Sequence, residues 1–164
     1  GAAGVSYWSL IDQYYNKDAD YIQMQQLGLW KYVKGAYKTD STYNRIKKDY
    51  EVRPQYYSYS LLTRFVKPGS EIYPINLNDN FSVGSAFKDN SGKWTYIFAN
   101  AMGSLKSIAV NNPIGEGSFD IYRYEGNALP TDDKMIMSQE HIAVDNNKII
   151  IDLKPNSVVL CQQK

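Results

Sequence analysis

Few residues of this 164-residue chain are of a type that breaks or makes bonds. Its lone histidine is His141 and its lone cysteine is Cys161, which excludes a histidine-rich metal site, a cysteine-based zinc cluster and an internal disulfide. No cofactor is therefore expected. Cys161 stands in a late run of strand formers, where it should pack as a small apolar group, and His141 reads as a surface or strand residue. The glutamates Glu51, Glu71, Glu116, Glu125 and Glu140 are scattered through loops and strand edges. Acid–base hydrolysis needs two carboxyl groups held across one reacting bond, and nothing in this spacing brings two of them together. They read as solvated surface carboxylates. What the chain does carry is aromatic surface, with 15 Tyr and 3 Trp. Such side chains suit sheet interiors and also stack on sugar rings, and packing claims the larger share of them.

Charge narrows the partners. With 18 Lys+Arg against 17 Asp+Glu, no field is available to draw in nucleic acid or an anionic membrane, so partners should be neutral or mixed. The sequence holds no apolar run of about 18 residues and no charged-then-apolar leader, so neither a membrane span nor a signal peptide is expected within it. At this length the chain is one domain, or one domain with part of a neighbour attached.

The elements that must position any site divide at one seam. Pro54 suits the first position of a helix, where its missing N–H costs nothing, and Pro68-Gly69 stops that helix after Lys67. Within 54–67, Tyr57, Leu61, Leu62, Phe65 and Val66 fall at helical spacing and form a buriable face, while Arg64 and Lys67 are expected to look outward. Before the seam, 5–11 is a compact apolar run expected as a buried strand. The stretch 12–26 is polar and irregular, 27–33 is a second short apolar run, and 44–50 is a weak helix behind the capping residues Asp40, Ser41 and Thr42.

After the seam the period falls to two. Candidate strands are 71–77, 81–88, 93–100, 105–110, 118–124, 134–137, 141–144, 149–153 and 157–162. They are separated by turn signals such as Asn78-Asp79-Asn80, Asp89 to Gly92, Asn111-Asn112-Pro113 and Asp145-Asn146-Asn147. This pattern predicts a mainly β chain: an antiparallel β-sandwich of about eight or nine strands with a helical and irregular N-terminal segment packed on it. Phe119 and Ile121 should point one way and Asp120 the other, and Val158 and Leu160 should share a face. The runs 149–151 and 94–98 are apolar on both faces, as in central or covered strands.

Taken together, Gly4-Val5-Ser6-Tyr7-Trp8-Ser9-Leu10, Leu27-Gly28-Leu29-Trp30, the 53–70 helix with its Pro-Gly-Ser exit, and the closing stretch Lys154 to Leu160 resemble the C-terminal portion of a clan-A type glycoside hydrolase. The likeness is to families 5, 30 and 39, in which a (β/α)8 barrel precedes a β-sandwich. The resemblance implies that residues 1–69 are the end of a barrel, with its last helix at about 54–67, and that 70–164 are the sandwich. It implies a secreted or periplasmic bacterial protein and carbohydrate as a partner. It also implies Trp8, with Asp12, Gln13 and Trp30, as sugar-contacting residues. The two glutamates such enzymes use stand at the ends of the fourth and seventh barrel strands. Those strands would precede Gly1, so no catalytic residue is assigned here and no activity is expected from the chain alone.

Three readings follow. The first is a non-catalytic sandwich region that supports a missing catalytic barrel. The second is a carbohydrate-binding module with an aromatic platform made by Trp94 and Tyr96 together with Tyr122 or Tyr124. The third is an adhesion or interaction domain unrelated to sugars. An unpartnered strand at 5–11 or 27–33 would invite a homo-oligomer.

Overall fold

A computed structural model describes residues 10, 13–14, 24–25, 28–32, 50–130 and 134–164. The chain divides into two compact units, Gly1–Tyr56 and Tyr57–Lys164. In the first, β1 (Gln13–Tyr14) pairs with β2 (Met24–Gln25) and β3 (Trp30–Tyr32) with β4 (Tyr50–Val52), each as an antiparallel two-stranded ribbon. Leu29 is buried. Its carbonyl accepts the Arg53 N–H at 2.9 Å, and the Trp30 N–H donates to the Leu10 carbonyl at 3.0 Å. Tyr50, expected at the end of a helix, is extended in β4. The rest of that expected helix and nearly all of the expected 5–11 strand lie outside the described residues.

Helix α1 (Pro54–Phe65) starts at its proline as the sequence demands. It ends at Phe65, short of the expected Lys67, and the turn beyond it holds Gly69 at φ +81°, a left-handed backbone that glycine takes without a Cβ clash. Tyr57, Ser60 and Leu61 are its buried residues. Lys67 is exposed as expected, but Arg64 does not look outward. Its guanidinium lies 4.8 Å from the centre of the Phe65 ring and 5.6 Å from that of Tyr122, and it donates to the Ile136 carbonyl at 2.7 Å. A planar cation can stack on aromatic faces while its edge satisfies a backbone acceptor, so it need not stay in water.

Eight strands follow the helix: β5 (Glu71–Ile75), β6 (Ser82–Lys88), β7 (Trp94–Asn100), β8 (Lys106–Asn111), β9 (Ser118–Glu125), β10 (Glu140–Ala143), β11 (Lys148–Leu153) and β12 (Ser157–Gln163). Six form an antiparallel sheet in the order β10-β9-β12-β7-β6-β5, and β8 and β11 form a separate two-stranded layer. The sandwich core lies between them. Phe98, Phe119, Ile121 and Val159 of the larger sheet share it with Ile149, Ile151 and Leu153 of the smaller. Each such side chain removed from water contributes about 1.5–3 kcal/mol. Phe119 and Ile121 are fully buried with Asp120 turned the other way, as the alternation required. On the opposite face of the larger sheet Phe65 meets Tyr122 at 4.5 Å, so the helix supplies an outer layer there.

Within the sandwich, two strand expectations give way. Residues 134–137 form no strand. Ile136 is buried, but its carbonyl is taken by Arg64, so side-chain bonding replaces a ladder and pairing resumes only at Glu140. The run 149–151 is not covered on both sides. β11 alternates buried and exposed, and Ile150 is 66% exposed, because the two-stranded layer is the outside of the sandwich.

One ion pair anchors the turn after β5. Lys106 donates to the Leu77 carbonyl at 2.7 Å and pairs with Asp79, whose carboxylate also accepts the N–H of Phe81 at 2.7 Å. The Lys106 ammonium, helped by those backbone donors, brings the Asp79 pKa from its ordinary 3.8 to about 2. A carboxyl group whose folded pKa is depressed adds stability that is complete above its unfolded pKa and disappears as pH falls through its folded one. The melting temperature of the native chain should therefore exceed that of Asp79→Asn above pH 3.8, and the gap should close as pH approaches about 2. Thermal unfolding of both proteins across that range checks this, and a constant gap would contradict it.

Candidate functional site

The unequal widths of the two layers leave a concavity in the sandwich. The two-stranded layer cannot cover the whole six-stranded sheet, and beside it, toward the β5 edge, lies a cleft of about 680 Å³. Its floor is kept low by the small buried side chain of Ala86. One wall carries Tyr73, Trp94 and Tyr96, and the other carries Ile108, Val110 and the turn residues Asn111, Asn112 and Asn147. Register explains the aromatic wall. Tyr73 stands opposite Ala86, and Ala86 opposite Tyr96, so all three share one face, while Trp94 lies two residues before Tyr96 on that face.

The rings form a graded series. Tyr73 is 41% exposed and Tyr96 is buried, with Trp94 intermediate. Tyr73 and Trp94 are inclined at 44° with centroids 5.3 Å apart, and Trp94 runs almost parallel to Tyr96 at 6.1 Å. Lys88 Nζ sits 5.9 Å from the Trp94 ring centre, and the Tyr73 hydroxyl donates to the Glu71 carboxylate. Burial pushes the Tyr96 phenol up to about 12, so it stays a neutral donor. It uses that proton on Asn112 Oδ1 at 3.1 Å.

Asn112 is the unusual member. It is 4% exposed, and its Nδ2 has no hydrogen-bond partner among the described residues although its Oδ1 is engaged. Its backbone N–H donates to the Asn147 carbonyl at 2.7 Å, which ties the two asparagine turns together at the mouth of β8 and β11. Asn146 and Asn147 hold φ values of +49° and +60°, left-handed conformations that asparagine tolerates in turns.

The residues singled out in the sequence fare differently. Trp94 and Tyr96 do share a face. Tyr122 and Tyr124 are not on it: Leu160 stands opposite both Ile97 and Tyr122, whereas Cys161 stands opposite both Tyr96 and Ile121, which puts Tyr122 on the helix side of the sheet. A platform that combines Trp94 with Tyr122 or Tyr124 is thus not formed. Trp30, in β3, is half-buried and meets Tyr56 edge-on at 6.0 Å. Gln13 lies in β1, on a different ribbon, paired with Gln25. Trp8 and Asp12 lie outside the described residues. Sequence reasoning passed over Tyr73, Asn112 and Asn147. The available signal was a pair of asparagine turns bounding two strands of matching length, which pairing brings side by side.

The fold and cleft define a class of architecture: an antiparallel β-sandwich with unequal layers and a helix on the outer face of the larger one. Several solved structures resemble the chain in fold. A family 30 subfamily 8 xylanase from Clostridium acetobutylicum superposes with a TM-score of 0.61 at 15% identity, over 85% of this chain and 31% of that one. The catalytic domain of family 30 xylanase C from Talaromyces cellulolyticus gives 0.58 at 13% identity, over 84% of this chain and 27% of that one. A family 30 endoxylanase from Clostridium papyrosolvens C71 gives 0.54 at 16% identity, over 69% of this chain and 28% of that one. The likeness is one of fold, and the chain spans under a third of the length of those enzymes. No protein-family model and no curated protein matches the sequence.

Proposed function

We propose that this chain is the non-catalytic C-terminal region of a glycoside hydrolase of the family 30 type, in which the sandwich supports a catalytic barrel and offers carbohydrate a secondary contact. The observation that carries this reading is the fold itself, matched over 85% of this chain but only 31% of a family 30 xylanase. The barrel, with its two carboxyl groups about 5 Å apart, would be supplied by sequence outside residues 1–164. In this reading 1–69 completes that barrel, and Trp8, Asp12, Gln13 and Trp30 line its sugar path. The whole protein would be secreted or periplasmic. The strand Trp30–Tyr32 would offer an edge for self-association.

The contacts of the sandwich glutamates support that reading. Glu125 pairs with Lys154 at 3.0 Å, Glu140 with Arg123, and Glu71 accepts the Tyr73 hydroxyl, while Glu116 is exposed. None of these contacts sets two carboxyl groups across one bond, which hydrolysis of a glycoside needs. The purified 164-residue chain should release no reducing ends from xylan or cellulose; hydrolysis that survives exhaustive purification would overturn the non-catalytic assignment. The second reading, an independent carbohydrate-binding module, is favoured by the cleft between the aromatic wall and the asparagine turns.

A further inference from the structure

We infer that the cleft beside Tyr73 and Trp94 is a binding site for a neutral oligosaccharide, stacked on Tyr73 and hydrogen-bonded by the Asn112 amide once its buried, unpartnered Nδ2 turns toward the cleft that the residue lines. For its ligand class the inference rests on the carbohydrate half of the reading above, and it does not depend on the barrel. The volume of about 680 Å³ falls in the range of about 300–1,000 Å³ usual for small-ligand sites. No residue lining the cleft bears a charge: its polar groups are asparagine amides, tyrosine hydroxyls and an indole. The charges nearest the aromatic wall, Lys88 beside Trp94 and Glu71 on the Tyr73 hydroxyl, are of opposite sign, so a neutral ligand is favoured.

Asn112 refines the choice. A side chain 4% exposed with an unpartnered donor is costly to keep, and a turn of the amide toward the cleft that Asn112 lines would let a ligand hydroxyl remove that cost. Sugar hydroxyls both donate and accept, which matches the two-ended amides of Asn76, Asn111 and Asn147, and the C–H faces of a pyranose match the exposed Tyr73 ring. A proline-rich peptide also favours aromatic grooves, but its proline carbonyls only accept and offer no donor to the amide oxygens of Asn111 and Asn147.

The test titrates the ¹⁵N-labelled chain with xylotetraose, cellotetraose and mannotetraose, and separately with a decaproline peptide. At least one oligosaccharide should shift the Asn112 side-chain amide and the Trp94 indole N–H. Tyr73→Ala, at a 41% exposed position, should weaken binding about threefold to tenfold while leaving the rest of the spectrum in place. Trp94→Phe, which keeps a ring in the wall, should retain more binding than Tyr73→Ala if stacking on Tyr73 dominates. Shifts confined to residues away from the cleft, or an unchanged affinity in Tyr73→Ala, would overturn this site but leave sugar binding standing. Silence with all three sugars at millimolar concentration would overturn the carbohydrate half of the reading and leave barrel support untouched. The peptide alone shifting these resonances would overturn the inference in favour of a polypeptide ligand.

Discussion

Replacing Phe98 with alanine is expected to lower the unfolding free energy by about 3–5 kcal/mol. Phe98 is fully buried in β7, with β12 on one side and β6 on the other, and its ring runs nearly parallel to Tyr96 at 6.4 Å. Both layers converge on it, because Val159 and Cys161 from the larger sheet and Ile149 and Ile151 from the smaller belong to the same core. Neither layer can collapse into the space a phenyl ring vacates without opening the other. For a domain of this size the melting temperature should fall by roughly 2–4 °C for each kcal/mol lost. A loss under about 1 kcal/mol by denaturant titration would mean that the core does not close around this ring.

The second large effect sits across from it. A Cβ added at Gly84 would meet Phe98 Cδ1 at 2.8 Å, Cε1 at 3.0 Å and Ile75 Cβ at 3.3 Å. Gly84 is thus required because the Phe98 ring lies over its Cα, and a buried ring cannot swing away as an exposed side chain would. Gly84→Ala should cost about 1–3 kcal/mol through overpacking. The cause can be isolated by combining it with Phe98→Leu, which shortens the opposing side chain: the double variant should lose less than the two single losses added together. Strict additivity would show that the methyl group clashes with something other than the ring.

How much of the fold is legible in the sequence depends on the range of the interaction. Local signals held. Pro54 opens the helix, Pro68-Gly69 forms a turn just beyond its end, and Phe119-Asp120-Ile121 turns its faces as the alternation requires. Most of the strands lie within a residue or two of where their turn signals put them. What failed was set by pairing across long separations. Tyr122 looked available to a platform with Trp94 until β12 fixed β7 and β9 in one register, which sends Tyr122 to the helix side. Arg64 looked solvated because nothing near it in sequence announces that the Ile136 carbonyl, 72 residues on, needs a donor. Ile150 looked buried because a run of three isoleucines says nothing about whether its strand has a second layer above it. The cleft was the least legible feature. It arises from the difference between a six-stranded and a two-stranded layer, and it is lined by asparagines that read, correctly but incompletely, as turn formers.

Whether the sandwich serves a catalytic barrel within one longer chain matters most, and the mass of the native polypeptide in its source decides it. Antibodies raised against residues 70–164 should detect a species larger than 18.7 kDa by roughly the 250 residues of a barrel. A native species of about 18.7 kDa would contradict the proposal that this sandwich serves a catalytic barrel within the same chain, and would make it a binding domain in its own right.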